Sequence, residues 1–133
     1  MIFLRVALLV LFAVPLTGTG AAWAAGDIKA GRKIAIDHCA RCHVIGSYNR
    51  FGGIDSTPSF QMLAKRADMA ERVSTFFARR PHPAFVTVPG VPKWSRVPPY
   101  ATPFTVTPEQ IENLVAFVGT LKNWKRLPRR KRQ

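Results

Sequence analysis

The sequence predicts a small all-α domain, and three observations carry that reading. Four segments repeat apolar residues at three- and four-residue spacing, each behind an aspartate or threonine suited to cap a helix. No segment alternates with period two, as a half-buried strand would. The one long stretch between the third and fourth segments carries seven prolines, which excludes both regular helix and central strand.

The first helix is expected over "DIKAGRKIAIDHCARCH", with Asp27 as N-cap and Ile28, Gly31, Ile34, Ala35, Cys39 and Cys42 along one face. The second, "TPSFQMLAKR", places Pro58 in the first helical position behind Thr57. The third, "DMAERVSTFFARR", opens on Asp68 and Glu71 at capping-box spacing and buries Met69, Val73, Phe76 and Phe77 until Pro81 stops it. The fourth, "TPEQIENLVAFVGTLKNW", has Thr107 as N-cap, Pro108 in the first turn and Gln110 closing the box. Its buried face reads Ile111, Leu114, Val115, Val118 and Leu121, with Phe117 alongside. The proline-rich loop from Pro81 to Thr107 is long for a compact domain, and such loops tend to be functional. Phe85, Val86, Val88, Val91, Trp94, Val97, Tyr100 and Phe104 predict that it packs.

The N-terminus fixes an expected compartment. Residues 1–24 read as a cleaved signal peptide: one early cation, Arg5, an apolar run to about Leu16, then Ala22-Trp23-Ala24 in the small-x-small pattern. The apolar run falls short of the ~20 residues of a membrane span, although an uncleaved anchor is the alternative. Residues 25–127 then form one domain, and residues 128–133 a basic disordered tail. Export predicts a periplasmic protein. The chain carries 20 Lys and Arg against 7 Asp and Glu, a formal charge of +13. That balance suits an acidic redox protein partner, or an anionic membrane surface met by the tail, while export excludes nucleic acid.

The chemistry lies in "IDHCARCHVIG", which holds both cysteines, Cys39 and Cys42, with His43 directly behind. A structural zinc site needs four ligands, and the chain offers two cysteines and three histidines, His38 and His43 being adjacent to the thiols. A redox disulfide of the thioredoxin type would accompany a βαβ pattern, which is missing. Covalent haem fits each local requirement: thiols three apart share a helix face, and the next residue offers an imidazole to the iron. No acid–base dyad, nucleophile triad or phosphate loop accompanies the motif, so no enzyme activity is expected.

On these residues the chain resembles the monohaem class I c-type cytochromes, through "AGRKIAIDHCARCH", "TPSF" and "EQIENLVAFVGTLK". The resemblance implies one covalent haem c, attached through Cys39 and Cys42 and ligated by His43. It also implies a crossing of the first and last helices, for which Gly31 and Phe117 are the candidates. A proline carbonyl, here that of Pro58, would accept the Nδ1–H of the proximal histidine.

The chain departs from that family at the sixth iron ligand, usually a downstream methionine. "RRPHPAFVTVPG" has Phe85 where such a methionine would stand, and no methionine follows Met69. His82, thirty-nine residues after His43 in a proline-stiffened turn, is the candidate distal ligand. A plain turn histidine, a vacant site, and Met62 or Met69 (read as core residues of apolar stripes) are its rivals. His38 shares a helix with His43 and reads as an exposed helical histidine. Lys93, Trp94 and Arg96 are read as core or surface residues before any contact with haem propionates. The expected function is periplasmic single-electron transfer. A haem sensor with an open sixth position and a cytochrome subunit of a larger complex are the alternatives.

Overall fold

The computed structural model describes residues 26–125. The expected signal peptide (1–24) and the basic tail (128–133) lie outside the described residues. Helix α1 runs Ile28–Ile34 and continues without a break as a π-helical turn over Ala35–Cys39. Asp27 caps it, its carboxylate accepting from the backbone N–H of Lys29 and Ala30 at 2.7 and 3.2 Å. Helices α2 (Phe60–Ala64) and α3 (Met69–Ser74) are short. Helix α4, Pro108–Thr120, carries the full capping box of Thr107 and Gln110 and ends in a 3-10 turn over Leu121–Asn123. No helix of the described residues is long and apolar enough to cross a membrane.

Four expectations are corrected. The second helix starts later, with Ser59 as N-cap and Pro58 outside it. The third ends at Ser74, seven positions before Pro81, because Thr75 leaves helical geometry and a separate 3-10 turn follows at Phe76–Ala78. Asp68 makes no cap bond; its carboxylate is taken instead by Arg66 at 2.8 Å and Arg72 at 2.7 Å, which hold it down at a pKa of about 2. The fold is also not purely helical. Two-residue strands β1 (Val86–Thr87) and β2 (Phe104–Thr105) pair in parallel, Val86 opposite Phe104. Two residues are too few to show an alternating pattern, so the sequence carried no signal for them.

The ladder ties together the two ends of the proline-rich stretch. Within it, Phe85, Val86 and Val88 are buried as expected, whereas Val91, Trp94, Val97 and Tyr100 are exposed. Prolines set those backbone directions locally, leaving the side chains over solvent. Ile28, expected on the inner face of α1, is half exposed.

Apolar residues form two clusters. The first joins Ala35, Ile45, Phe60, Ala64, Val73, Leu114, Phe117, Val118 and Leu121. The second joins Ala84, Phe85, Val86, Val88, Val106 and Ile111. Helix α4 contributes to both, and Phe76 packs against both.

Helices α1 and α4 cross closely at Gly31, where an added Cβ would run into the Asn113 carbonyl and come within 2.9 Å of the Phe117 Cβ. The buried Asn113 locks the same crossing, its Oδ1 accepting from the Asp27 backbone N–H at 2.6 Å. Gly31→Ala gains about 0.5–1 kcal/mol of helix propensity, but overpacking against backbone costs about 1–3 kcal/mol. The variant should therefore be about 1–2 kcal/mol less stable in denaturant titration of the haem-loaded protein. Unchanged or greater stability would mean that the crossing is not sterically limited.

Candidate functional site

The site is built on the C-terminal end of the first helix. The Cys39 carbonyl accepts from the backbone N–H of both Cys42 (3.1 Å) and His43 (2.9 Å), so the run turns tightly and keeps both thiols and the imidazole together. Both cysteines are free thiols and partly buried. Burial pushes the Cys39 thiol up to about 12, and the neighbouring Cys42 adds to the rise. A redox-active dithiol needs the opposite, a lowered pKa that supplies thiolate. This environment therefore opposes the disulfide-exchange reading. Among the described residues, no three His, Cys, Asp or Glu side chains converge as a metal-ion site would require.

The loop after His43 is folded back onto the motif by three residues. Thr57 donates its hydroxyl to the carbonyls of Cys42 and, at 2.7 Å, Ile54. Gly53 sits at φ +85°, a conformation that suits glycine, and the next N–H, that of Ile54, bonds the Cys42 carbonyl at 3.0 Å. Asn49 makes three bonds: its Oδ1 accepts from Ile45 N–H at 2.6 Å, and its Nδ2 donates to the carbonyls of Ala40 (2.7 Å) and His43 (2.8 Å). Sequence reasoning missed Asn49. Its only signal is an amide residue, with donors and an acceptor, inside a turn-rich stretch.

This loop brings the Pro58 carbonyl to the imidazole. His43 donates its Nδ1–H to it at 2.7 Å. Burial lowers the His43 pKa and so favours the neutral ring, an effect that the bond to the Pro58 carbonyl partly opposes. A neutral imidazole with its proton on Nδ1 keeps its lone pair on Nε2, the nitrogen free to bind metal.

His82 repeats the pattern. It lies in a 3-10 turn, His82–Ala84, and donates its Nδ1–H to the Arg79 carbonyl at 3.0 Å. Its pKa is likewise lowered, first by burial and further by the nearby His43, against the effect of the Arg79 bond. The Arg79 side chain is itself held, by Thr75 Oγ1 at 3.0 Å and Glu71 at 2.8 Å. The rings of His43 and His82 lie 9° from parallel with centroids 6.1 Å apart, within the range of a loose, offset ring pair. Phe60 packs against His43 at 5.4 Å, while Phe76 (5.2 Å, edge-on) and Phe85 (5.8 Å) pack against His82.

The structure thus places His82 beside His43, which sits on the Pro58 carbonyl directly behind Cys39 and Cys42. His38 does not join them; it is exposed and stacks on Phe104 at 4.4 Å. Met62 is 65% exposed, contrary to the expected core role, because the short α2 turns it outward. Met69 packs against the first cluster. Phe85 stands buried against His82. Trp94 is exposed beneath the Arg80 guanidinium, 5.6 Å from its ring centre, and Lys93 and Arg96 are exposed.

The residues fit a haem. Two neighbouring thiols and an imidazole with a free Nε2 match the donor set of the c-type motif. A second imidazole, that of His82, stands nearly parallel to the first with its centroid 6.1 Å away. A model of the family described as Cytochrome c matches residues 28–122. Neither the search of curated proteins nor that of solved structures found a match.

Asn49→Ala should destabilise the loaded protein by about 2–3 kcal/mol, because it strands the buried Ile45 N–H and two carbonyls. Asn49→Asp should not restore stability, since it sets an acceptor against the Ala40 and His43 carbonyls. Denaturation midpoints of the two variants decide it; a loss below about 0.5 kcal/mol in both would show the loop held by other contacts.

Proposed function

Since the chain belongs to the cytochrome c family, whose members bind haem c and serve haem-based electron transfer, we propose that it is a periplasmic carrier of single electrons with one covalent haem. The observation that carries this reading is the Cys39–Cys42–His43 turn with its imidazole tied to the Pro58 carbonyl. Bound there, the haem supplies an iron centre that gains and loses one electron.

Each residue has a distinct part. The Cys39 and Cys42 thiols hold the group covalently, and His43 offers Nε2 to its iron. The Pro58 carbonyl fixes the tautomer and orientation of His43 and raises its basicity. Phe60 limits rotation of the ring and, with the first cluster, keeps water from that side. The family's part in haem-based electron transfer supports a carrier rather than an enzyme.

The partner is an acidic redox protein, and charge placement supports this. Between Glu71 and Glu109 the chain has no acidic residue. Arg72 and Arg79 in that stretch are ion-paired, whereas Arg80, Lys93 and Arg96 make no ion pair among the described residues. They flank the exposed Val91, Trp94, Val97 and Tyr100, an apolar surface with a basic border. Tyr100 touches Phe85 at 5.8 Å, and Phe85 touches His82, so this surface lies two contacts from the site.

Two outcomes are expected. Cys39→Ala with Cys42→Ala should abolish haem-stained mass on a denaturing gel, and retained covalent haem would refute the attachment. The rate of electron transfer to an acidic redox protein should fall as ionic strength rises, because salt screens the encounter. A flat response would remove the electrostatic partner. Deleting Arg129–Gln133 separates that partner from anionic lipid: loss of liposome binding with intact electron transfer assigns the tail to the membrane.

A further inference from the structure

We propose that His82 supplies the second axial imidazole to the haem iron, opposite His43 and with its ring plane nearly parallel; this rests on the reading of Cys39–His43 as the haem attachment. A ligating imidazole nitrogen sits about 2 Å from its metal and about 1 Å from its own ring centre, so two imidazoles on opposite faces of one iron have centroids about 6 Å apart. The observed separation is 6.1 Å. Offset stacking of two rings tolerates the same near-parallel planes, and what favours ligation is this separation taken together with the Nδ1–H bonding of both rings.

The hydrogen bonding agrees. Each ring spends its Nδ1–H on a backbone carbonyl, Pro58 on one side and Arg79 on the other. Among the described residues neither Nε2 has a hydrogen-bond partner. The Arg79 carbonyl is then the distal counterpart of the Pro58 carbonyl, a backbone acceptor that orients the ligand and raises its basicity. Phe76 and Phe85 set the rotation of His82 about its own axis. Phe85 therefore supports the ligand from the position where a methionine was expected.

The rivals are displaced. Met62 faces solvent, Met69 packs with the first cluster, and His38 stacks on Phe104. With His82 on the iron the sixth position is filled, which favours electron transfer over gas sensing. Two imidazoles also give a lower potential than a methionine and an imidazole. Parallel ring planes direct the ligand π orbitals along one axis of the iron, and this predicts a rhombic low-spin resonance spectrum.

The experiment uses the full-length haem-loaded protein. Oxidised parent protein should be low-spin by electron paramagnetic resonance, with a near-infrared magnetic circular dichroism band of bis-nitrogen type and no sulfur-to-iron absorption. His82→Ala should become high-spin and bind carbon monoxide, and added imidazole should restore the low-spin spectrum. A merely structural histidine would not show that rescue. His82→Met should raise the potential. His38→Ala should leave the parent spectrum intact, which tests the assignment even if the His82 variants fail to fold. A haem-stained parent that is high-spin, or shows methionine ligation, overturns this proposal alone. So does a His82→Ala variant that keeps the parent spectrum and potential. A parent without covalent haem overturns the attachment reading and this proposal with it.

Discussion

The hydrogen bond from His43 Nδ1 to the Pro58 carbonyl is short, at 2.7 Å, and much of the architecture exists to make it. Fifteen residues separate its ends, and they must fold back completely for the carbonyl to arrive. Thr57, Asn49 and the left-handed Gly53 enforce that return, each bonding or enabling a bond to backbone at the motif. The same return decides where α2 begins. Pro58 cannot be the first residue of a helix while its carbonyl points at His43, so the cap passes to Ser59 and the helix is reduced to Phe60–Ala64. Phe60 then lands against the imidazole and in the core together, which links the orientation of the ring to the packing of the domain.

The most legible features in the sequence were those with local causes. Helix α4 follows from one capping box and one apolar face, and it lies where the pattern puts it. The Asp27 cap of α1 is equally local. The Cys39–His43 run is legible for the same reason, since five consecutive residues specify it. What could not be read depends on which of several partners a polar side chain takes, near or far along the chain. Asp68 had the spacing of a capping box, yet two arginines offered its carboxylate charge-assisted bonds that outcompete a cap. Asn49 holds three backbone groups within its own loop, and Asn113 bonds across eighty-six positions. No periodicity marks such residues. The β1–β2 ladder is another case, since its partners are adjacent only because the proline-rich stretch closes on itself.

The two sides of the site differ in how they are made. On the His43 side, a helix end and a tightly bonded loop position the imidazole against Phe60 of the larger cluster. On the His82 side there is only a 3-10 turn, a ladder of two residues and the smaller cluster. Short turns depend on their neighbours more than helices do, which is why residue type and spacing left several candidates open there. Glu71 and Arg79 compensate in part, joining the turn that carries His82 to α3. The pair is exposed and worth little in stability. Its effect lies in position, since Arg79 provides the carbonyl on which His82 rests.

This division bears on why a domain of this size would rely on a prosthetic group. A domain of roughly 100 residues buries a modest fraction of its apolar surface, and here that surface is split between two clusters that share Phe76 and opposite parts of α4. One imidazole stands on each cluster, His43 against Phe60 of the first and His82 against Phe85 of the second. A flat apolar group between the rings would bury the facing sides of both clusters and make one core of two. Iron ligation from both sides would then resist separation of the clusters more strongly than the thin shared packing does. Electron transfer benefits from the same arrangement, because ligands fixed by two packed clusters change little in position when the iron changes its charge.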